Sequence, residues 1–475
     1  MLNLMMPGNP RYQPKSLQPY FGYDYLYQPA VKVELAVMRT LGEMGVIPAA
    51  DIALLTQEVV EKLLLISTTE VDKVEKEITK HDVRALVRLM MQEVLPEPLR
   101  RWVHIPLTSY DPLDTARSLQ FVEAHSMVVR LHMRKAISDL ADKTEEYAST
   151  VQIGRTHGQH ALPITVGFWL ATILNRLVSN AREMDRFASG LVGKISGAVG
   201  AHNAQVGLGL FANKNGELFE NLVLAKLGLN RAFISTQILP PEPLAYYLFS
   251  VLMTLATLGQ FGRDCRHLMR SEIGEIGEPF AKGQVGSSTM AQKRNPMTFE
   301  NIEGTYLKSK AEFGKVLETL VSEHQRDLVG SSLMRDFPVM VINLVLQLET
   351  LLREDKGQSF IRRITVNEAA LERNFALSDD TVLAEPLYIA LQMAGYSGDA
   401  HEIINRHIVP AAIAGDCDLT SVIENHLEHQ PKLAAAWANI PAQVKRLLRN
   451  PERYIGDAKE QALAVASSAR EFVRS

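Results

Sequence analysis

Residues 113–153 run for 41 positions without a glycine or a proline, between Pro112 and Gly154. Those two residue types interrupt helices most readily, so a stretch of this length without them predicts one long helix. Within it Leu119 and Val122, Met127 and Leu131, and Ile137 and Leu140 repeat the three-and-four spacing of a single helix face. The same pattern predicts helices at roughly 168–189, 244–269, 301–324 and 339–354. Alternating strands with hairpin dipeptides are scarce, so the expected fold class is all-α, a bundle of long helices.

The first and last hundred residues read as shorter helices with more breaks, such as GVIPAAD and AGYSGD. Three parts are therefore expected: an N-terminal helical domain, 1–112, a central long-helix bundle, 113–365, and a C-terminal helical domain, 366–475. Hydrophobic residues make up 46% of the 475 and charged residues 22%, the balance of a globular protein with a sizeable core. A net charge of −4 with interspersed signs suggests neither a nucleic-acid surface nor a polybasic membrane patch, so any anionic ligand must be met by local charge.

Cys265 and Cys417 stand far apart and outside any C-x-x-C pattern. Neither a disulfide framework nor a zinc site is expected, and a reducing, cytoplasmic setting fits. The N-terminus has no basic stretch leading into a long apolar one, so no secretion signal is read there. Residues 243–262 carry no charge over nearly a membrane-spanning length, yet they include Ser250, Thr254, Thr257 and Gln260. The expectation is a helix buried inside a bundle, not a membrane span.

Four stretches break the helical grammar, and such breaks are where function concentrates. They are TKHDVRALV with His81 and Asp82; HIPLTSYDPLDTA with His104, Thr108, Ser109 and Asp111; GRTHGQHALPITVG with Arg155, Thr156, His157 and Gln159; and GQVGSSTMAQKRNPMTFEN, residues 283–301. Singly, each has a structural reading: a packed histidine, an N-cap for the long helix, a flexible turn, a solvated helix start. HGQH lacks the further ligands of a metal site, and none is expected.

Together the breaks form a set suited to acid–base chemistry on an anionic substrate without a cofactor. Glycines let a loop close and turn backbone N–H groups toward an oxyanion. Lys293 supplies positive charge, Asn295 a directional amide donor, and His157 a group that carries a proton near neutral pH. Glu300 is close enough in sequence to partner a histidine, although spacing alone does not decide it.

The segment GSSTMAQKRNP resembles the signature loop of the fumarase/aspartase superfamily, GSS-x-M-P-x-K-x-N-P. Within that superfamily the chain is similar from end to end to the adenylosuccinate lyase family. RYQPKSLQPYF, KHDV, HIPLTSYDPLDTA, GRTHGQHALPITVG, GKISGAVGAHNA, ISTQILP and QRDLVGSSLMR follow in the family's order. In the last segment Arg326, Ser331 and Arg335 match the family's nucleotide-phosphate clamp.

The resemblance implies a β-elimination that releases fumarate from an N-succinylated nucleotide, with no cofactor. It assigns Ser287 as general base, with Ser288 as the alternate, and His157, paired with Glu300, as the acid that protonates the departing nitrogen. Lys293 and Asn295, with Thr108, Ser109 and Thr156, would hold the succinyl carboxylates, and Gln237 would contact the substrate. His81 with Asp82, His104, and Arg11 with Tyr12 would line the nucleotide and phosphate end. The family assembles its site from three subunits of a homotetramer, which implies a shared helical core here.

The chain departs from the family pattern at Ala291 and Gln292, at Pro106 where glycine is common, and in ILPPEP after STQ. Rival readings are a 3-carboxy-cis,cis-muconate cycloisomerase, which QHALPIT also resembles, argininosuccinate lyase, and a tetrameric scaffold without chemistry. The first does not account for His81 in KHDV or the spacing of Arg326, Ser331 and Arg335. The second normally carries Ser-Arg-Asn-Asp where this chain has Thr-Ser-Tyr-Asp. A scaffold has no need for Ser287, His157, Lys293, Asn295 and Glu300 together.

Overall fold

The computed structural model describes residues 6–279, 290, 292–415 and 417–475, the side chain of Asp379 excepted. Long helices dominate, at Val166–Ser189, Glu242–Leu268, Met297–Glu318 and Pro338–Leu352; three lie within about two residues of the positions expected from periodicity, and Met297–Glu318 is shifted toward the N-terminus from the expected 301–324. The all-α reading therefore holds, and strands among the described residues are confined to three two-stranded pairings.

The long helix expected over 113–153 is present as Tyr110–Ala124 and Arg130–Glu146, joined through a wider π turn at His125–Val129. At that turn His125 is buried, its Nε2 2.7 Å from Asp185 Oδ1 and its ring edge-on to Tyr247. The helix stops at Glu146, short of the expected end. Beyond it the β-branched residues Thr150, Val151 and Ile153 lead into a strand, which their stiff side chains favour.

Packing groups the chain into two units, one of Met1–Lys135, Ser179–Gly259 and Asn301–Leu352, the other of Ala136–Val178, Gln260–Glu300 and Arg353–Ser475. The first unit has its core where the helix Gln28–Glu43 lies on Tyr110–Ala124. Val31, Leu35, Met38, Leu86, Leu119 and Phe219 are buried there. In the helix Glu242–Leu268, which holds the uncharged stretch 243–262, the most apolar window is 67% buried, with Tyr247, Leu248, Val251 and Leu255 inside. That burial accords with an interior helix.

The second unit gathers Leu387, Leu391, Ile408, Ile423, Leu433 and Trp437 around Ile153 of the strand Val151–Thr156, here β1. β1 pairs antiparallel with Gln159–Thr165, β2. The register shifts between Ile153 and Arg155, and a Cβ on Gly154 would lie 2.7 Å from the Leu162 carbonyl oxygen. Only glycine lets the backbones approach this closely at the bulge.

Candidate active site

The third sequence break is the tip of the β1–β2 hairpin. His157 and Gly158 are its two loop residues, with φ of +55° and +77°, the pair of left-handed conformations that a tight I′ turn demands. Glycine adopts this freely, and histidine is among the few other residues that tolerate it. Thr156 and His157 consequently stand exposed at the turn.

A buried carboxylate fixes the stem below them. Glu275, fully buried, accepts from Arg155 Nη2 at 2.6 Å and Arg155 Nη1 at 3.1 Å, a forked pair. It also accepts from Gln152 Nε2 at 2.7 Å and Asn374 Nδ2 at 2.8 Å, so both oxygens are satisfied. On the opposite strand His160 Nδ1 lies 2.5 Å from Ser378 Oγ, and burial, reinforced by the Arg155 charge, lowers its pKa.

The fourth break begins beyond the described residues, and Ser287 and Ser288 lie outside them. Its far end is anchored. Glu278 accepts from the backbone N–H of Phe299 at 2.9 Å, placing a carboxylate at the positive end of the Met297–Glu318 helix. Burial raises the Glu278 pKa against these bonds. Lys293 and Glu300 are exposed, and Asn295 is half-buried. Among the described residues His157 and Glu300 share no hydrogen bond or ion pair within one chain.

In the other unit the second break is organised from below by Asp111. Its Oδ2 accepts from the Thr108 backbone N–H at 2.8 Å, so the carboxylate turns back along the chain to hold that loop. Its Oδ1 accepts from Lys194 Nζ at 2.5 Å and from the N–H groups of Ser196 and Gly197 at 3.1 Å each. Asp111 and Lys194 side chains are fully buried, so this pair ties the TSYD loop to the GKISG segment.

The TSYD loop carries Ser109, whose Oγ is 3.5 Å from His81 Nε2, while His81 Nδ1 is 3.2 Å from Asp82 Oδ1. Beside it Arg326 is held on three sides. Its Nη1 donates to Gln237 Oε1 at 2.7 Å, its Nε to the Asp327 carbonyl at 3.2 Å, and its Nη2 lies 3.4 Å from Ser331 Oγ. Tyr110 completes the group. Its ring centroid is 3.4 Å from Arg326 Cζ, and its hydroxyl is 2.7 Å from Ser331 Oγ. A cavity of about 380 Å³ opens here, lined by Asp82, Tyr110, Arg117, Gln120, Ser331 and Arg335 among others.

Arg326 thus touches both Gln237 and Ser331, Ser331 shares its cavity with Arg335 and Asp82, and Ser109 lies beside His81. His104 is placed differently: its backbone N–H and Nδ1 both bond the buried Glu34, at 3.0 and 2.7 Å. Arg11 and Tyr12 are exposed on the Pro10–Tyr12 turn, where the arginine lies 5.8 Å from its neighbour's ring. Three contributors escaped sequence reasoning. Tyr110 sat unremarked between residues already singled out, whereas Glu275 and Lys194 carry no local signal.

A family model described as "Lyase" matches residues 21–308. With the helical fold, this defines an enzyme of the lyase class. The chain is 30% identical to an adenylosuccinate lyase of Archaeoglobus fulgidus over 99% of its own length and 100% of the relative's. It is 31% identical to one of Pyrococcus horikoshii over 98% of each. The chain belongs to this lyase family and, within it, to the adenylosuccinate lyases.

Solved structures agree on the fold. A 3-carboxy-cis,cis-muconate lactonizing enzyme from Pseudomonas putida matches with a TM-score of 0.77 at 23% identity, covering 97% of this chain and 98% of that one. A fumarate lyase from Mesorhizobium sp. BNC1 matches with a TM-score of 0.76 at 19% identity, covering 96% and 98%. At these identities the likeness establishes architecture alone.

Proposed function

We propose that the enzyme cleaves adenylosuccinate to AMP and fumarate, and the succinylated carboxamide ribotide SAICAR to AICAR and fumarate. The observation that carries this reading is Arg326, held by Gln237 and 3.4 Å from Ser331, which with Arg335 lines a cavity. A guanidinium held in advance is suited to a phosphate monoester, whose oxygens match its fork of donors. The names of the relatives point to the same nucleotide.

In the proposed reaction Ser287, as its alkoxide, takes the proton from the carbon beside a succinyl carboxylate, and the electron pair moves into that carboxylate. The doubly charged aci-carboxylate is stabilised by Lys293 and Asn295 with Thr108, Ser109 and Thr156. The pair then returns to form the fumarate double bond as the carbon–nitrogen bond breaks, and His157 protonates the departing nitrogen. Ser288 is the alternate base, and Glu300 is the partner assigned to His157.

The working unit is a homotetramer with shared sites, in the cytoplasm, without nucleic-acid or membrane partners. The exposed His157 and Glu300 support sharing, because side chains from other subunits can complete their surroundings. Tyr246, Phe249 and Met253, 54%, 44% and 41% exposed on the helix Glu242–Leu268, support assembly. Their spacing places them on one face, an apolar stripe that a neighbouring copy would cover.

The test is the ultraviolet absorbance change when purified protein meets adenylosuccinate, with AMP and fumarate identified as products. Turnover supports the reading; its absence from a correctly assembled oligomer refutes it.

A further inference from the structure

We infer that Tyr110 is a positioning residue that orders the phosphate-binding face of the site through Arg326 and Ser331. The inference rests on the nucleotide reading above. Four contacts converge on the Arg326 guanidinium: Gln237 Oε1, the Asp327 carbonyl, Ser331 Oγ and the face of Tyr110. The first three lie around its edge and use N–H groups. The ring alone restrains the guanidinium plane from one face, through an electrostatic attraction that does not consume a donor.

The phenol has a second effect. Tyr110 and Ser331 are linked through their hydroxyls at 2.7 Å, so one O–H donates to the other. One proton of the pair is then left over to donate elsewhere. That proton and the remaining N–H groups of Arg326 are donors available to an oxyanion, and both Tyr110 and Ser331 line the cavity that Arg335 also lines. Tyr110 is itself held in place. It is the first residue of the helix Tyr110–Ala124, whose start is pinned by the buried Asp111–Lys194 pair.

A side chain that only filled space would matter equally for every ligand. One that orders Arg326 matters for phosphorylated ligands alone. The experiment is equilibrium titration of the full-length enzyme with AMP, adenosine and inorganic phosphate, for wild type, Tyr110→Phe and Tyr110→Leu, beside adenylosuccinate turnover. Loss of the cation–π contact and the hydroxyl in Tyr110→Leu should weaken AMP binding about tenfold and raise KM with little change in kcat. Tyr110→Phe keeps the ring and should lose about threefold or less. Adenosine binding should be unchanged in both.

Equal loss of AMP and adenosine, or an unaltered AMP affinity in Tyr110→Leu, overturns the inference. A wild-type enzyme that fails to turn over adenylosuccinate, yet binds AMP or phosphate in a Tyr110-dependent way, overturns the reaction and retains the positioning role. Turnover with no Tyr110 dependence does the reverse. A wild-type protein that turns over no adenylosuccinate and binds neither AMP nor phosphate overturns both.

Discussion

Arg155 grips Glu275 with both terminal nitrogens, 2.6 Å and 3.1 Å from the two carboxylate oxygens, directly beneath the turn that presents His157. The arginine is one residue from Thr156 and two from His157, so its rigidity is transmitted through little intervening chain. Arg155→Lys keeps the charge and loses the fork. We expect the variant to fold and turnover to fall about a hundredfold, because a displacement of roughly 1 Å at a reacting group costs that much. Wild-type kcat in this variant would show that the hairpin tip does not need the clamp. Glu275→Ala should destabilise by about 3–5 kcal/mol, because it strands a mostly buried guanidinium; thermal and denaturant unfolding measure this.

His160 faces Ser378 and feels burial and the Arg155 charge, which together push its pKa below the ordinary 6.5. The folded state therefore binds this proton less readily than the unfolded one. Its contribution to stability is complete above pH 6.5 and declines as pH falls from there toward the lowered folded value. Unfolding measured from pH 7.5 to 5 should show a steeper loss for wild type than for His160→Gln. Equal slopes would mean that the histidine is not held neutral.

Replacing Ser287 with alanine should reduce kcat by at least about a hundredfold while AMP affinity is kept, since a base acts on the proton and not on nucleotide binding. Single-turnover kinetics beside AMP titration separate the two quantities. Retained turnover moves the base to Ser288 or elsewhere.

Arg326→Ala removes a charged donor already oriented by Gln237. KM for adenylosuccinate should rise about 10- to 100-fold, the scale of a lost charge-assisted hydrogen bond, with kcat less affected. An unchanged KM would remove Arg326 from the phosphate end.

Met253→Glu puts a charge on the apolar stripe formed with Tyr246 and Phe249. Sedimentation velocity should show the assembly shifted to smaller, less active species, since a buried unpaired carboxylate is costly. A wild-type protein that sediments as a stable, active monomer would refute the tetramer.

The sequence by itself determined where the long helices run and where they break, because both are written in short-range spacing. Apolar residues three and four apart, and the absence of glycine and proline, suffice to place Val166–Ser189 and Glu242–Leu268 within about two residues. Motif order and resemblance also nominate Gln237, Arg326 and Ser331. What the breaks become was decided only by tertiary structure. HGQH reads as a loop in a helical chain until His157 and Gly158 both take left-handed conformations and turn it into a hairpin.

The partners that hold the breaks lie far along the chain: Glu275 is 120 residues from Arg155, and Lys194 is 83 from Asp111. No local pattern marks a carboxylate that will be buried against a distant cation, because its cost is relieved only once the fold brings the two together. His104 shows the same limit from the other side. The resemblance marks His104 for the nucleotide end, but nothing local announces that the buried Glu34, 70 residues away on the helix Gln28–Glu43, holds its Nδ1.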